Sequence, residues 1–285
     1  MSVAVLFVNF RVYDDLDRSL TALYPFLSSD DEIVVVDNES QRDRLAWLTA
    51  RHPRALALPR RENIGFAAAI NLAVRNSSRP FLLLLNPDAL VQGPVPRVLE
   101  EWLVTHPDTA VAGPRILNAD GSVQPSARRF PGISAAIGGR STWLSQRFPN
   151  NWFSRQHLLG MTAETPLDVD WIAGSCLMTT RAAFERVGGF DEQFFLYWED
   201  ADYCRRLNAL GLKSTYLPGV TVKHAGGHSA EQVLTLAIRA FHASALRLHM
   251  KHGGLPARMT APLANAAIRL RLAWRVRQAA RAAHP

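Results

Sequence analysis

The sequence predicts an α/β protein: a mixed, mostly parallel sheet with helices on both faces, followed by a helical C-terminal extension. Three observations carry this expectation. Short apolar runs alternate with helix-periodic segments through the first half, each run is closed by Asn or Asp, and acidic residues stop altogether at Glu231. An apolar run without alternation is a strand buried on both faces, and strands separated by helices pair in parallel.

The elements follow in order. Val3–Val8 is the first strand, closed by Asn9, and Asp14–Leu27 places Leu16, Leu20, Leu23 and Leu27 at helical spacing. Ile33–Val36 is the second, closed by Asp37-Asn38, and Leu45 and Leu48 mark the next helix. Ala55–Leu58 is a weaker third strand, ahead of Asn63-Ile64-Gly65 and a helix with Phe66, Ile70, Ala73 and Val74 on one face. Phe81–Leu85 ends at Asn86-Pro87-Asp88. Further on, Val169–Met178 reads as one strand, Arg181–Val187 as a short helix and Gly188–Asp191 as a turn, with a helix opening at Glu199-Asp200. Val220–Val222 leads to His224, and Gln232–His252 is an amphipathic helix stopped by Gly253-Gly254.

A chain of 285 residues buries roughly three quarters of its unfolded surface, so a substantial core is expected. The net charge of +7 and a pI near 10.0 point at first to nucleic acid. Location overturns that. Nine of the 32 basic residues follow Glu231, so residues 1–231 hold 23 basic against 25 acidic groups, and the basicity is a tail property. No nucleic-acid partner is expected. Two cysteines, no apolar stretch of membrane-spanning length and no basic leader before the first apolar run make a cytoplasmic location the expectation.

In open α/β sheets ligands bind beyond the carboxyl ends of the strands, and four successive strands here deliver Asn9, Asp37, Asn38, Asn63 and Asp88 to that edge. Helix capping and turn formation explain some of these residues equally well. Neither a Gly-x-Gly-x-x-Gly fingerprint nor a Gly-Lys-Ser/Thr loop is present, so phosphate handling would rest on a metal, with Asp88 as the carboxylate. On a helical wheel Asp200 shares the inward face with Cys204 and Leu207, while Asp202 and Arg205 point away. Asp200 is thus either a capping acid or a general base in an aromatic-rimmed pocket. His224 is a structural hydrogen-bonder or a metal ligand, and Gly226-Gly227 argues against His228 joining it through a shared helix. Ser126–Pro131 either lines a site or is a solvated basic loop, and residues 137–161 read as a long acceptor loop.

Taken together, Val34-Val35-Val36-Asp37-Asn38, Asn63-Ile64-Gly65-Phe66 through Asn71, Leu85-Asn86-Pro87-Asp88, Trp171 with Gly174, Gly188-Gly189-Phe190-Asp191, Trp198-Glu199-Asp200 through Arg205, and His224 with Ser229 resemble family 2 glycosyltransferases, over roughly residues 3–230. Within that family the chain is most similar to rhamnosyltransferase-type enzymes of bacterial cell-envelope glycans. The resemblance implies a GT-A fold over residues 1–230, a donor half to residue 115 and an acceptor half from 116, with 231–285 as a basic extension. It implies inverting sugar transfer from a nucleotide-diphosphate donor, such as dTDP-rhamnose, to a glycan or lipid-linked acceptor. Asp37 would bind the base; Asn9, Asn38, Asn63 and Gly65 would help hold the donor. Asp88 and His224 would hold Mg²⁺ or Mn²⁺. Asp200 would be the base, with Glu199, Trp198, Trp171, Gly174 and Arg205 around the acceptor.

The family motif often carries Asp where this chain has Asn86, which removes one negative charge from the metal site. A catalytically silent sugar-binding homologue is therefore the competing reading. In the tail, Arg269, Arg271, Arg275 and Arg277 alternate with Ile268, Leu270, Leu272, Trp274 and Val276. That mixture suits an anionic membrane surface through residues 256–285, each cation near it contributing on the order of 1 kcal/mol. Packing on a second copy is the alternative use of the same tail.

Overall fold

The computed structural model describes residues 2–130, 163–224, 234–255, 259, 260, 262, 265 and 266. A ten-stranded mixed sheet forms its centre. The strands are β1 (Val3–Asn9), β2 (Glu32–Asp37), β3 (Ala55–Pro59), β4 (Phe81–Leu85), β5 (Ala89–Val91), β6 (Thr109–Leu117), β7 (Val123–Gln124), β9 (Leu167–Val169), β11 (Cys176–Thr180) and β12 (Lys213–His224). A separate ribbon pairs β8 (Ala127–Arg128) with β10 (Trp171–Ile172) in antiparallel fashion.

The main order is β3-β2-β1-β4-β11-β6-β12-β5, with β7 on β6 and β9 on β12. β3, β2, β1 and β4 run parallel, β11 is antiparallel to both its neighbours, and β6 and β12 are parallel again. The switch at β1, where the chain first builds outward to β3 and then returns to β4, opens the crevice that open α/β sheets use for ligands.

Helices α1 (Tyr13–Leu23), α2 (Arg42–Arg51), α3 (Phe66–Arg75), α4 (Val95–Thr105), α5 (Arg181–Arg186), α6 (Glu199–Asn208) and α7 (Leu234–His252) cover the sheet. The two faces make two cores. Leu16, Leu20, Leu23, Leu99 and Leu103 pack with Val3, Val5 and Leu83 on one side. Ala67, Ile70, Phe184, Phe190 and Tyr203 pack with Ala4, Leu6 and Leu84 on the other. β1 and β4 feed both because successive side chains alternate faces.

The expected strands and helices of the first half are present, with two adjustments. The first helix stops at Leu23 and passes into a 3₁₀ turn over Tyr24–Phe26, because Pro25 cannot supply the amide that would continue it. Helix α4 and strand β6 add to the elements expected from the sequence. A larger correction concerns Val169–Met178. The expected single strand is broken into β9, β10 and β11, and the interruption at Ala173–Ser175 turns the Gly174 amide toward Asp200. Gly253 closes α7 as expected, its amide donating to the His249 carbonyl.

Candidate active site

The carboxyl ends of β1, β2 and β4, the start of α3 and the end of β12 enclose a cleft of about 220 Å³ lined by Asn38, Asn63, Gly65, Asp88, His224 and Tyr197, among others. Asn9 and Asp37 lie behind it, both fully buried. Their strands pair in register, Asn9 opposite Asp37, so the Asn9 Nδ2 amide donates to Asp37 Oδ1 at 2.6 Å. The hydroxyls of Tyr13 and Ser40 donate to Asp37 Oδ2 at 2.8 and 2.6 Å. Burial, with the Asp37 charge beside it, pushes the Tyr13 phenol up to about 12.

Gly65 is the one residue type its position accepts. Its φ is +84°, and a Cβ there would lie 2.5 Å from the Phe195 carbonyl oxygen. The same carbonyl accepts from the Phe66 amide at 2.7 Å, and the Gly65 amide donates to Asn63 Oδ1 at 2.9 Å. An anion approaching the start of α3 therefore meets amides that are already partly engaged.

At the far side of the cleft three motif residues converge. His224 Nε2 lies 3.2 Å from Asp88 Oδ1 and 3.2 Å from the Asn86 amide nitrogen. The pairing of His224 with Ala89 across β12 and β5 makes this meeting possible. Imidazole nitrogen beside carboxylate oxygen is a donor set suited to Mn²⁺ or Mg²⁺. Among the described residues no group of three or more His, Cys, Asp and Glu side chains could hold a metal. Asp88 and His224 would thus hold a divalent ion with the remaining positions left to substrate oxygens and water, the habit of Mg²⁺ in phosphate sites.

A second cluster forms around the start of α6. Asp200 is buried and accepts from the Gly174 amide at 2.8 Å and its neighbour Ala201's amide at 2.7 Å. Burial raises its pKa, while those two amides and the charge of Arg128 pull it back. Glu199, equally buried, is pushed well above the usual carboxylate range by burial and then by the Asp200 charge. Among the described residues its Oε2 has no hydrogen-bond partner. Of the two adjacent buried acids, Glu199 is pushed further toward its protonated form, because the amides and the Arg128 charge that favour a carboxylate act on Asp200.

Aromatic rings frame this pair. Trp171 and Trp198 lie 6.0 Å apart, Arg128 covers Trp171 at 5.0 Å, and Arg205 covers Phe130 at 5.3 Å. The Ser126–Phe130 part of the basic segment is thereby ordered against the cluster through the β8–β10 ribbon. A Cβ on Gly174 would make ordinary van der Waals contact with Asp200 Oδ2 at 3.5 Å and with the cleft-lining Phe66 ring at 3.8 Å. Phe66 and Gly174 therefore join the cluster to the cleft. Residues 137–161, His228 and Ser229 lie outside the described residues.

The helical wheel misplaced Asp202. It is fully buried, gripped by Arg206 at 2.8 Å, Lys251 at 2.8 Å and His252 at 2.7 Å. A wheel counts one buried face, and α6 has two because α7 packs over the second. Helix α7 also touches the cluster directly: Phe241 lies 5.7 Å from Tyr197 and 5.4 Å from Trp198, and Ser244 Oγ donates to the Leu196 carbonyl at 2.9 Å. Tyr197 and Trp198 both have left-handed backbone, φ 67° and 70°, costing about 1–2 kcal/mol each. Sequence reasoning singled out neither Gln124, which meets His224, nor Tyr13, which holds Asp37; Ser40, the other hydroxyl on Asp37, closes the Asp37-Asn38-Glu39-Ser40 motif.

A family model described as "Glycosyltransferase like family 2" matches residues 2–243. The chain belongs to this glycosyltransferase family. The transferase is 30% identical over 268 residues to the N-acetylglucosaminyl-diphospho-decaprenol L-rhamnosyltransferase of Mycobacterium tuberculosis, covering 88% of this chain and 85% of that one. It is 28% identical over 215 residues to the low-salt glycan biosynthesis hexosyltransferase Agl10 of Haloferax volcanii, covering 72% of this chain and 61% of that one. Among solved structures it resembles the mannosyltransferase PcManGT of Pyrobaculum calidifontis in complex with GDP-Man and Mn²⁺, with a TM-score of 0.58 at 17% identity over 99% of this chain and 75% of that one. It likewise resembles GalNAc-T7 with UDP, GalNAc and Mn²⁺, with a TM-score of 0.59 at 16% identity over 79% of this chain and 44% of that one. These structures show the GT-A fold of the transferase. Among its described residues no helix is long and apolar enough to cross a membrane.

Proposed function

We propose that this transferase moves a sugar, L-rhamnose from dTDP-rhamnose, to a hydroxyl of a lipid-linked glycan with inversion, and that Asp200 is the general base. The observation that carries the reading is the division of labour at Glu199-Asp200. Asp200 has two backbone amides and the charge of Arg128 to keep it a carboxylate, while Glu199 has burial and no partner at Oε2. Asp200 accepts the acceptor's hydroxyl proton as the oxygen attacks the anomeric carbon. Glu199, protonated, is left to donate a hydrogen bond to the acceptor sugar.

On the donor side, Asp37 recognises the base through the network it shares with Asn9, Tyr13 and Ser40, while Asn38, Asn63 and Gly65 shape the wall for the rest of the nucleotide. Asp88 and His224 hold a divalent ion, which when bound stabilises the charge left on the departing diphosphate. Trp171, Trp198, Gly174 and Arg205 enclose the acceptor, with residues 1–115 as the donor half and 116–230 as the acceptor half. The rhamnosyl donor and the lipid-linked acceptor are supported by the mycobacterial relative's name and its shared length.

Nucleotide release with metal tests this directly, using dTDP-rhamnose and UDP-sugars with a polyprenyl-diphosphate-linked N-acetylglucosamine acceptor. Release that depends on acceptor and is fastest with dTDP-rhamnose is expected. Faster turnover of a UDP-sugar would reassign the donor. Binding without release from any donor would favour the silent sugar-binding reading.

We also propose peripheral association with an anionic membrane face on the cytoplasmic side. Most of residues 256–285 lie outside the described residues, but α7 itself exposes Leu236, Arg239, Ala243, Arg247 and Met250, one stripe at helical spacing. Apolar and cationic groups on one stripe suit a lipid interface. Co-sedimentation with anionic but not neutral vesicles is expected; equal pelleting would sink the idea.

A further inference from the structure

His224 has a second hydrogen-bonding nitrogen, and what touches it has a direction. Strand β7 lies on β6 with Gln124 opposite Ile116, and β6 runs beside β12 with Leu117 opposite Lys223. This ladder sets Gln124 beside His224, Gln124 Oε1 lying 2.9 Å from His224 Nδ1. Gln124 Nε2 donates to Asn118 Oδ1 at 3.1 Å, Asn118 Nδ2 to Ser122 Oγ at 2.9 Å, and Ser122 Oγ to Asp120 Oδ1 at 2.6 Å. The Ser122 amide donates to the same carboxylate oxygen at 2.9 Å.

The far end sets the polarity of the whole chain. A carboxylate only accepts, so the Ser122 hydroxyl proton points to Asp120 and its lone pairs face Asn118. Asn118 must then present its NH₂ group to Ser122 and its carbonyl to Gln124. Gln124 in turn presents NH₂ to Asn118 and its carbonyl to the ring. Reversing any one amide would set donor against donor or acceptor against acceptor at two contacts. The ring therefore carries a proton on Nδ1. Nε2 faces Asp88 Oδ1 and the Asn86 side-chain nitrogen, both at 3.2 Å.

We propose that Asp120, Ser122, Asn118 and Gln124 form a one-way hydrogen-bond relay that keeps a proton on His224 Nδ1 and so makes Nε2, beside Asp88, the nitrogen that turns to a divalent ion, and that Gln124 is the positioning residue for this side of the site. The purpose assigned to the relay rests on the metal reading of Asp88 and His224; the Nδ1 proton itself does not. Ligating histidines commonly have the other ring nitrogen held by an acceptor. Here the acceptor is a side-chain amide with no fixed sense of its own, and three further groups supply that sense.

The test reads the tautomer first, on the metal-free full-length protein. Long-range proton–nitrogen correlation of ¹⁵N-histidine-labelled protein, with His224→Asn to assign the signal, should show a protonated Nδ1. Gln124→Leu should shift the ring away from the Nδ1–H form, and Gln124→Lys, which presents donors only, should shift it further. Gln124→Glu, an acceptor, should restore Nδ1–H. Calorimetry with Mn²⁺ and dTDP should then show affinity for Mn²⁺ about 10–100-fold weaker in Gln124→Leu and near wild type in Gln124→Glu. A wild-type ring with no proton on Nδ1 overturns the proposal, as does a Gln124→Leu protein that keeps both the Nδ1 proton and the Mn²⁺ affinity. The expected tautomer shifts without Mn²⁺ binding by any variant would uphold the relay and overturn the metal reading instead.

Discussion

Around Asp37 the buried polar groups are matched to one another: Asn9, Tyr13 and Ser40 all converge on one carboxylate, and the Tyr13 hydroxyl accepts in turn from the Gln41 amide at 2.8 Å. Around Asp200 they are not. Trp198 Nε1, Glu199 Oε2, Ser126 Oγ and Ser175 Oγ are buried without a hydrogen-bond partner among the described residues. Tyr197 and Trp198 add left-handed backbone to the same stretch. A buried unpaired polar group costs about 1–3 kcal/mol. The Asp37 side is thus completed by the fold alone, whereas the Asp200 side carries a destabilising cost that a polar ligand would relieve. In the proposed function that ligand is the acceptor sugar, rich in hydroxyls.

The contrast can be broken at several points. Asp200→Asn has the largest expected effect: turnover falls by about 10²–10⁴-fold while nucleotide affinity, measured by calorimetry, stays at the wild-type value. Wild-type turnover by that variant would remove Asp200 as the base. Asp37→Ala should cost about 3 kcal/mol of stability in urea unfolding, because three donors lose their acceptor at once; a loss below about 1 kcal/mol would mean the donor side is less tightly matched than its geometry.

The acid pair gives a pH signature of the opposite side. A carboxyl whose folded pKa is raised binds more protons folded than unfolded, so stability falls as pH rises from its ordinary 4.5 toward the raised value of Glu199. The slope is at most about 1.4 kcal/mol per pH unit. Melting temperature followed against pH should show this decline in the wild type and a smaller one, from Asp200 alone, in Glu199→Gln; identical profiles would mean Glu199 is ionised after all. Smallest is Ser126→Ala, which removes a hydroxyl that has no partner and should stabilise by about 0.5–1 kcal/mol while weakening acceptor binding. A destabilised Ser126→Ala protein would erase the distinction drawn between the two sides.

Much of the Asp37 side was legible because its signal is local. A strand that ends in Asn9 or Asp37 and a helix that starts after Gly65 place those residues at the sheet's carboxyl edge with no further information. Asp200 was legible as an inward carboxylate for the same reason, since Cys204 and Leu207 share its face and both are buried. Asp202 was not, because the second layer over α6 comes from α7, some 50 residues later. Gln124 offered no signal at all: a two-residue strand has no periodicity, and its place beside His224 exists only through β6.

The sequence by itself determined the α/β architecture, the residues that reach the sheet edge and the division of charge between a slightly acidic body and a basic tail. Those are properties of period, order and composition, which need no distances. The tertiary structure alone decided which of Glu199 and Asp200 is held closer to a carboxylate and which nitrogen of His224 meets Gln124. Both depend on groups brought together from distant segments. The Gly174 amide and Arg128 meet Asp200, and Gln124 meets His224 across 100 positions. Protonation state and tautomer follow from the field and the hydrogen bonds at one point in space.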